Sequence, residues 1–350
     1  MGGNREWVDR VEQASAPAWD RFAHWPRRQA QLALLAFVLL LVAAALAPIS
    51  AGRSTVETAG FSDMVAGKDD GPKRKRDDDL ALYDEAIERI QRGENYYDFI
   101  VPVQRAANYP VNPGLAVRLP TLAYLDAWLG KAGQMAAALA LMLSVLAVWW
   151  RRLGEEACSP RTRRMALALL FVGASLGLNR YYFVLHELWA GMLIALAFGL
   201  HRPDRGKWGA AFIAAALALT VREHALPFVL LLGAYAAWRR EWKEAGAWGA
   251  LTLAFLAALM VHLDIVAQQV LATDRPSDPW LVMRGLGGWL SNVVLSSNLR
   301  FLPDWIAGPA VILMMLGWCG WRSAAGVFGT FLYLGYGLAF MIAGRPDNFY

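Results

Sequence analysis

The chain has 350 residues, of which 57% are hydrophobic and only 18% are charged, and its net charge is +5. A soluble domain carries about 25% charged residues, whereas here the apolar residues fall in blocks of roughly 16–20, long enough for the ~30 Å hydrocarbon core of a bilayer. Lys and Arg cluster in short loops between these blocks, so the positive charge indicates membrane topology and argues against a nucleic-acid partner.

Nine apolar segments predict an all-α membrane protein, a polytopic bundle of about nine transmembrane helices in a single membrane domain over residues 1–350. In chain order the predicted spans are residues 31–49, 131–150, 165–178, 181–200, 208–221, 225–238, 246–263, 307–321 and 325–343. The segments between them that are rich in Lys and Arg are 1–29, 151–164, 201–208, 239–244 and 322.

These basic segments alternate with non-basic ones, and the positive-inside rule therefore places them, and the N-terminus, in the cytoplasm. The long segments 51–130 and 264–306 then form extracytoplasmic loops, together with 179–180, 222–224 and 344–350. We expect a multi-pass protein of the cell inner (plasma) membrane whose working face is periplasmic or extracellular.

The first outside loop contains a predicted surface helix over residues 80–90. Apolar residues recur there at helical spacing; they are Leu80, Tyr83, Ile87 and Ile90. The preceding Asp77, Asp78 and Asp79 suit a helix N-terminus, and Gly93 suits the position that ends a helix. A second short helix is predicted over residues 118–128, with Tyr96 and Tyr97 in the segment between the two.

The spacing of these residues resembles the first extracytoplasmic loop of C-type glycosyltransferases, the multi-span enzymes that use polyprenyl-phosphate-linked sugars. They include dolichyl-phosphate-mannose mannosyltransferase-like and aminoarabinose-transferase-like proteins. The pattern is Asp79-x-x-x-Tyr83, Gly93-x-x-Tyr96-Tyr97, Tyr109-Pro110 and Arg118-x-Pro120-Thr121. The C-terminal segment 344–350 also resembles a late outside loop of such proteins.

The resemblance implies that an acidic residue early in this loop is the catalytic base, which deprotonates the acceptor as it attacks the anomeric carbon of the sugar. By position Asp79 matches best and Asp78 second, with Asp84 and Glu85 as fallbacks. Tyr83, Tyr96 and Tyr97 would shape the donor and acceptor sites. The alternative is that three adjacent Asp residues only cap a surface helix and solvate the loop.

Arginines near the outer ends of the helices are candidates for binding the donor phosphate, because a guanidinium group matches phosphate geometry. They are Arg180, Arg222, Arg118 and Arg284. The alternative for each is snorkelling to the membrane surface or an interhelical salt bridge, such as Arg222 with Glu187.

A wider set of ionisable residues is predicted at the same outer face: His186, Glu187, Glu223, His224, His262 and Asp264. Imidazole and carboxylate groups from several helices could supply three or four ligands to a divalent metal, although their spacing is no known ligand motif. No cofactor is required by the sequence, and a lone membrane histidine is more often a hydrogen-bonded structural residue.

The expected function is transfer of a sugar from a polyprenyl-phosphate carrier in the lipid bilayer to an extracytoplasmic lipid, glycan or protein acceptor. The second outside loop, with Trp280, Leu281 and Trp289, could cradle the isoprenoid chain or be a plain interfacial loop. Two other functions stay open: a transporter or flippase of lipid-linked sugars, and a non-catalytic membrane scaffold. The sequence contains no Walker A motif, which argues against ATP-driven transport.

Overall fold

The computed structural model describes residues 21–50, 78–155, 159–203 and 206–343. The resemblance of segment 344–350 to a late outside loop therefore falls outside the described residues, as does the side chain of Asp78.

The described residues form α-helices and short 3-10 turns, without a β-strand. The helices are α1 Arg27–Leu46, α2 Asp78–Gln91, α3 Tyr96–Ala106, α4 Thr121–Glu155, α5 Pro160–Ala174, α6 His186–Leu200, α7 Gly209–Val221, α8 Leu226–Trp238, α9 Trp242–Ala267, α10 Gly285–Leu295, α11 Asp304–Gly320 and α12 Ala324–Ile342. The predicted all-α class is confirmed.

Four of these helices are long and apolar enough to cross a membrane, by length and composition: α1, α4 with the turn before it, α9 and α12. Helices α6, α7, α10 and α11 are apolar but shorter. Much of the apolar surface is uncovered by protein; on α1, Leu32 is 67% exposed and Leu39 is 60% exposed. Continuous apolar surface of this kind is stable against lipid and not against water, which supports a membrane protein.

The helix predicted over residues 80–90 is present as α2, while its place at the membrane surface stays a prediction. Gly93 ends α2 with a left-handed φ of +88°, a conformation that costs a residue without a Cβ little. The N–H groups of Gly93 and Glu94 bond to the carbonyl oxygens of Ile90 and Arg89, which satisfies the last turn of the helix.

Two helices, α3 and α10, were not predicted. Helix α3 begins after Asn95, whose side chain accepts a hydrogen bond from the Tyr97 N–H at 3.0 Å. Helix α10 lies in the segment predicted as the second outside loop. The short helix expected over residues 118–128 and the span expected over residues 131–150 are the two parts of α4, which are divided at Gly130, whose φ of 61° and ψ of 179° are not helical.

The helices pack in two main apolar groups. Helices α4, α6, α7, α8 and α9 share a core around Phe228 and Trp248, both fully buried. Helices α1, α10, α11 and α12 share a second core around Leu290 and Ile312. Helix α11 reaches α1 closely through Gly308, where a Cβ would lie 2.3 Å from the Ala44 carbonyl oxygen, so only glycine fits there.

Helices α2 and α3 form a separate layer over one end of the first group. Their buried face, including Phe99 and Val101, packs against Val266 near the end of α9. The other side of α2 packs through Leu80 against Val184 and Leu185, just before α6. This layer carries Asp79 to the end of the bundle where α6 begins and where α7 turns into α8.

Candidate active site

A buried network of ion pairs joins the turn between α7 and α8 to the first turn of α6. The Nε and Nη1 atoms of Arg222 lie 3.0 Å from a Glu187 carboxylate oxygen and 2.6 Å from a Glu223 oxygen. Arg118, just before α4, approaches Glu187 to 3.6 Å, and the His224 ring lies 3.0 Å from Glu223. Two guanidinium groups thus face two carboxylates, which makes burial of the four charges tolerable.

Glu223 lies in the short turn between α7 and α8. Burial by itself raises the pKa of this carboxyl group, but the hydrogen bond with His224 and the charges of Arg222 and Arg118 outweigh burial. Together they hold the pKa of Glu223 well below its usual range. The carboxylate is therefore ionised and keeps Arg222 in place.

The network borders a cavity of about 420 Å³ under the layer formed by α2 and α3. Asp79 lines this cavity, and so do Arg118 and Arg222. The geometry therefore brings the best-matching predicted base into the same space as two of the four predicted phosphate-binding arginines. Glu223 and His224 complete the charged lining.

The Asp79 carboxylate is half-buried in the first turn of α2 and accepts a hydrogen bond from the Tyr109 hydroxyl. One oxygen is thus held in a fixed direction. Tyr109 stands in the Tyr109-Pro110 motif of the sequence, but its role as the partner of Asp79 was not predicted. The positive end of the helix dipole of α2 also favours a carboxylate at this position.

Tyr83 and Tyr96 line the cavity, and both are hydrogen-bonded to Arg118. The Tyr83 hydroxyl accepts a hydrogen bond from Arg118 Nε at 3.1 Å, and the Tyr96 hydroxyl donates to the Arg118 carbonyl oxygen at 2.8 Å. Burial raises the pKa of both hydroxyl groups, so both are neutral phenols. They hold the guanidinium and backbone of Arg118 in one orientation.

Trp280 and Leu281, from the second outside loop, supply apolar lining on another side of the cavity. The loop is fastened to α3 by Arg105, whose Nη2 donates to Asp274 at 3.0 Å and to the Gln269 carbonyl oxygen at 2.7 Å. This ion pair lowers the pKa of Asp274. Leu281 is 81% exposed, so the lining continues into an open apolar edge.

Two predicted phosphate-binding arginines lie elsewhere. Arg180 is exposed and is absent from the cavity lining. The Arg284 side chain donates to Asn292 at 3.1 Å, and its N–H donates to the Met341 carbonyl oxygen at 2.8 Å. The sequence alone did not show that Arg180 and Arg284 would lie away from the cavity.

Other members of the predicted outer cluster are also separated from the cavity. His262 contacts the Tyr97 hydroxyl at 3.0 Å and the Val117 carbonyl oxygen at 3.1 Å. The exposed Asp264 accepts a hydrogen bond from Gln268 at 2.8 Å. His186 is buried and lines a second, smaller pocket.

Within the described ranges, no group of three or more His, Cys, Asp or Glu side chains is placed to hold a metal ion. Metal dependence stays an untested prediction, and the positive charge in the cavity comes from Arg118 and Arg222.

The sequence interpretation missed Asp126, a lone acid in the otherwise apolar run 122–128 of α4. It is 1% exposed and lines the second pocket with His186. An isolated carboxylate in an apolar helical segment is itself a signal of a special environment, and it was available in the sequence.

Comparison of the chain with protein-family models, with curated proteins and with solved structures returned no match.

Proposed function

We propose that this chain is an integral-membrane glycosyltransferase of the C type, which moves a sugar from a polyprenyl-phosphate carrier to an extracytoplasmic acceptor. It would lie in the cell inner membrane with about nine spans and a cytoplasmic N-terminus. The observation that carries the proposal is that Asp79, Arg118 and Arg222 line one cavity of about 420 Å³. That volume lies within the roughly 300–1,000 Å³ of small-molecule sites.

In the proposed reaction Asp79 removes the proton of an acceptor hydroxyl as its oxygen attacks the anomeric carbon of the donor sugar. The new glycosidic C–O bond forms while the bond between the anomeric carbon and the phosphate oxygen breaks. The electron pair leaves with the polyprenyl phosphate. The hydrogen bond from Tyr109 orients the carboxylate for this step.

Arg118 and Arg222 would stabilise the negative charge that develops on the departing phosphate. Arg222 suits this role because its buried Nε atom makes no aligned hydrogen bond, although it lies 3.0 Å from Glu187. A donor that is charge-balanced yet incompletely bonded can turn to an anionic ligand. The apolar edge with Trp280 and Leu281 would carry the first units of the isoprenoid chain.

The proposal is tested first in cells, because donor and acceptor are unidentified. Cell-envelope lipids and glycans are compared by mass spectrometry between cells with the wild-type gene, without it, and with the Asp79→Asn variant. We expect a glycosylated product that vanishes in the last two, with its polyprenyl-phosphate sugar accumulating. Loss of a general base reduces turnover by about 10²–10⁴-fold.

The matched control is Asp264→Asn, which removes an exposed carboxylate outside the cavity lining and should leave the product unchanged. If Asp79→Asn retains product formation, Asp79 is not the base. Movement of lipid-linked sugar across reconstituted vesicles without release of polyprenyl phosphate would identify a transporter. A product pattern that is unchanged even without the gene would favour a scaffold.

A further inference from the structure

A second pocket lies behind the cavity, where α2, α3, α4 and the start of α6 meet. Its volume is about 10 Å³, and Tyr83 and Tyr96 line both this pocket and the larger cavity. Asp126 of α4 and His186 of α6 are its titratable members besides the two tyrosines. About one water molecule is the largest occupant that such a volume admits.

Among the described residues, the side chains of Asp126 and His186 have no hydrogen-bond partner. Asp126 is 1% exposed and His186 is 3% exposed. Both carboxyl oxygens of Asp126 and both ring nitrogens of His186 are buried and unpaired. Four unpaired polar atoms around one small pocket are unusual, because buried polar groups in folded proteins are nearly always hydrogen-bonded.

The charges around the pocket do not favour an ionised Asp126. Burial raises the pKa of Asp126, and the carboxylate of Asp84 in α2 raises it further. Burial also disfavours a positive imidazolium at His186; Glu187 and Glu223 favour one, and Arg118 and Arg222 oppose it. The ring of Tyr83 packs edge-on against His186, with centroids 5.3 Å apart. An unpaired carboxylate in such a place takes up a proton instead of remaining charged.

We propose that Asp126 is a neutral carboxylic acid and that the pocket binds one water molecule that links this acid to the neutral imidazole of His186. The acid donates its O–H to the water. The water donates one hydrogen to the unprotonated ring nitrogen of His186. It donates the other to the C=O oxygen of the Asp126 side chain or to a nearby acceptor. This arrangement gives partners to buried atoms that the protein leaves unpaired, within the capacity of each group.

A metal cation fits the pocket poorly. Asp126 and His186 supply only two ligands, and no third His, Cys, Asp or Glu joins them in the part of the chain that the structure describes. Zn²⁺ in proteins takes at least three protein ligands in a catalytic site and four in a structural one.

The direct test is the infrared spectrum of the purified protein at about pH 6, where an ordinary Asp of pKa about 3.9 is ionised. We expect the C=O band of a protonated carboxyl group, shifted by ¹³C-labelled aspartate and lost in Asp126→Asn. The matched control is Glu244→Gln. Glu244 is a buried carboxylate paired with His201 at 2.7 Å, so it is ionised and its replacement should leave the band intact.

Absence of the band from the wild-type protein would overturn the proposal, and this outcome needs no variant to fold. A band that persists in a folded Asp126→Asn variant would also overturn it, because another group would then carry the proton.

Thermal unfolding in detergent supplies an independent measurement. The folded state keeps the proton of Asp126 while the unfolded chain loses it above about pH 4, so this contribution to stability falls as the pH rises. We expect the unfolding midpoint of Asp126→Asn, relative to wild type, to increase between about pH 5 and pH 8. A relative midpoint that decreases over this range would show that the ionised carboxylate stabilises the fold.

The bound molecule itself is tested by a cryo-electron microscopy map that resolves water. One peak between Asp126 and His186, unaffected by chelator, supports the proposal. A pocket without a density peak would overturn the proposal that a water molecule links Asp126 to His186. A wild-type midpoint that drops on chelator treatment, while that of Asp126→Asn does not, would identify a metal cation instead.

Discussion

Two buried polar networks lie at opposite ends of α9, and they differ in what their charges face. At the start of α9, Glu244 contacts the His201 ring at 2.7 Å and accepts a hydrogen bond from Trp248 at 3.1 Å. At the other end, the network of Arg118, Arg222, Glu187 and Glu223 borders the 420 Å³ cavity. Residues 244 and 262 of α9 are about 27 Å apart along the helix axis.

The network around Glu244 lies beside the C-terminal end of a helix and supplies hydrogen bonds to it. Arg152 of α4 donates to the carbonyl oxygens of Phe198 and His201, at 2.9 Å and 2.5 Å, where α6 ends. Unpaired carbonyl groups are expected at a helix C-terminus, and a cation there satisfies them. This network stabilises the fold because Arg152 donates hydrogen bonds to backbone carbonyl groups at the end of α6.

The network around Arg222 borders a space that a ligand can enter. Arg118 and Arg222 line the cavity of about 420 Å³ together with Asp79, whereas neither Glu244 nor His201 lines it. Ionisable side chains that converge on a cavity are typical of a binding site. Similar residue types thus stabilise the structure at one end and form a candidate site at the other.

The largest effect on stability is expected from Arg222→Met, in the network that borders the cavity. The change leaves Glu187 and Glu223 buried with a single arginine nearby, and breaking a buried pair in this way costs about 3–5 kcal/mol. Urea or thermal unfolding in detergent measures the loss. Arg222→Lys restores the charge but not the planar fork, so we expect it to recover part of the stability and little donor binding. Wild-type stability in Arg222→Met would show that these charges are solvated.

In the network around Glu244, the change Glu244→Gln should lower the free energy of unfolding by about 1–3 kcal/mol, because it weakens the hydrogen bonds to His201 and Trp248. The glycan product of the proposed reaction should persist at an unchanged level per folded molecule. Loss of product with folding intact would contradict the division between a structural and a functional network.

A finer comparison uses two buried tyrosine hydroxyl groups. Tyr83→Phe removes the acceptor of the Arg118 hydrogen bond, and Tyr333→Phe removes a hydroxyl that donates to the Val311 carbonyl oxygen at 2.8 Å. Each should cost about 1 kcal/mol of stability. Only Tyr83→Phe should also weaken donor binding, measured as a rise in KM. Equal KM values in the two variants would place Tyr83 outside the site.

The smallest effect is expected from Arg180→Ala. This exposed side chain is absent from the cavity lining, so stability and product formation should stay within the error of wild type. A marked loss of product would show that Arg180 binds the donor. The turn before α6 that carries Arg180 would then have to close over the cavity.

The all-α class, the apolar helices and the helix α2 could all be predicted from the sequence. These depend on local properties: the length of an apolar run, the 3.6-residue period and the glycine that ends a helix. Helix α3 was also within reach, because Asn95 is a good N-cap and Phe99, Ile100 and Val103 follow at helical spacing. The division of α4 at Gly130 was predicted as well, because the short helix expected over residues 118–128 ends before the span expected from residue 131.

Which charged residues share a cavity could not be predicted from the sequence and follows from the packing of the helices. Arg118, Arg180, Arg222 and Arg284 are equivalent as sequence signals, yet two line the cavity with Asp79 and two do not. The same holds for Asp126 and His186, which are 60 positions apart and share one pocket. The physical reason is that a helix sets the direction of its side chains, while packing between helices decides which of those directions meet.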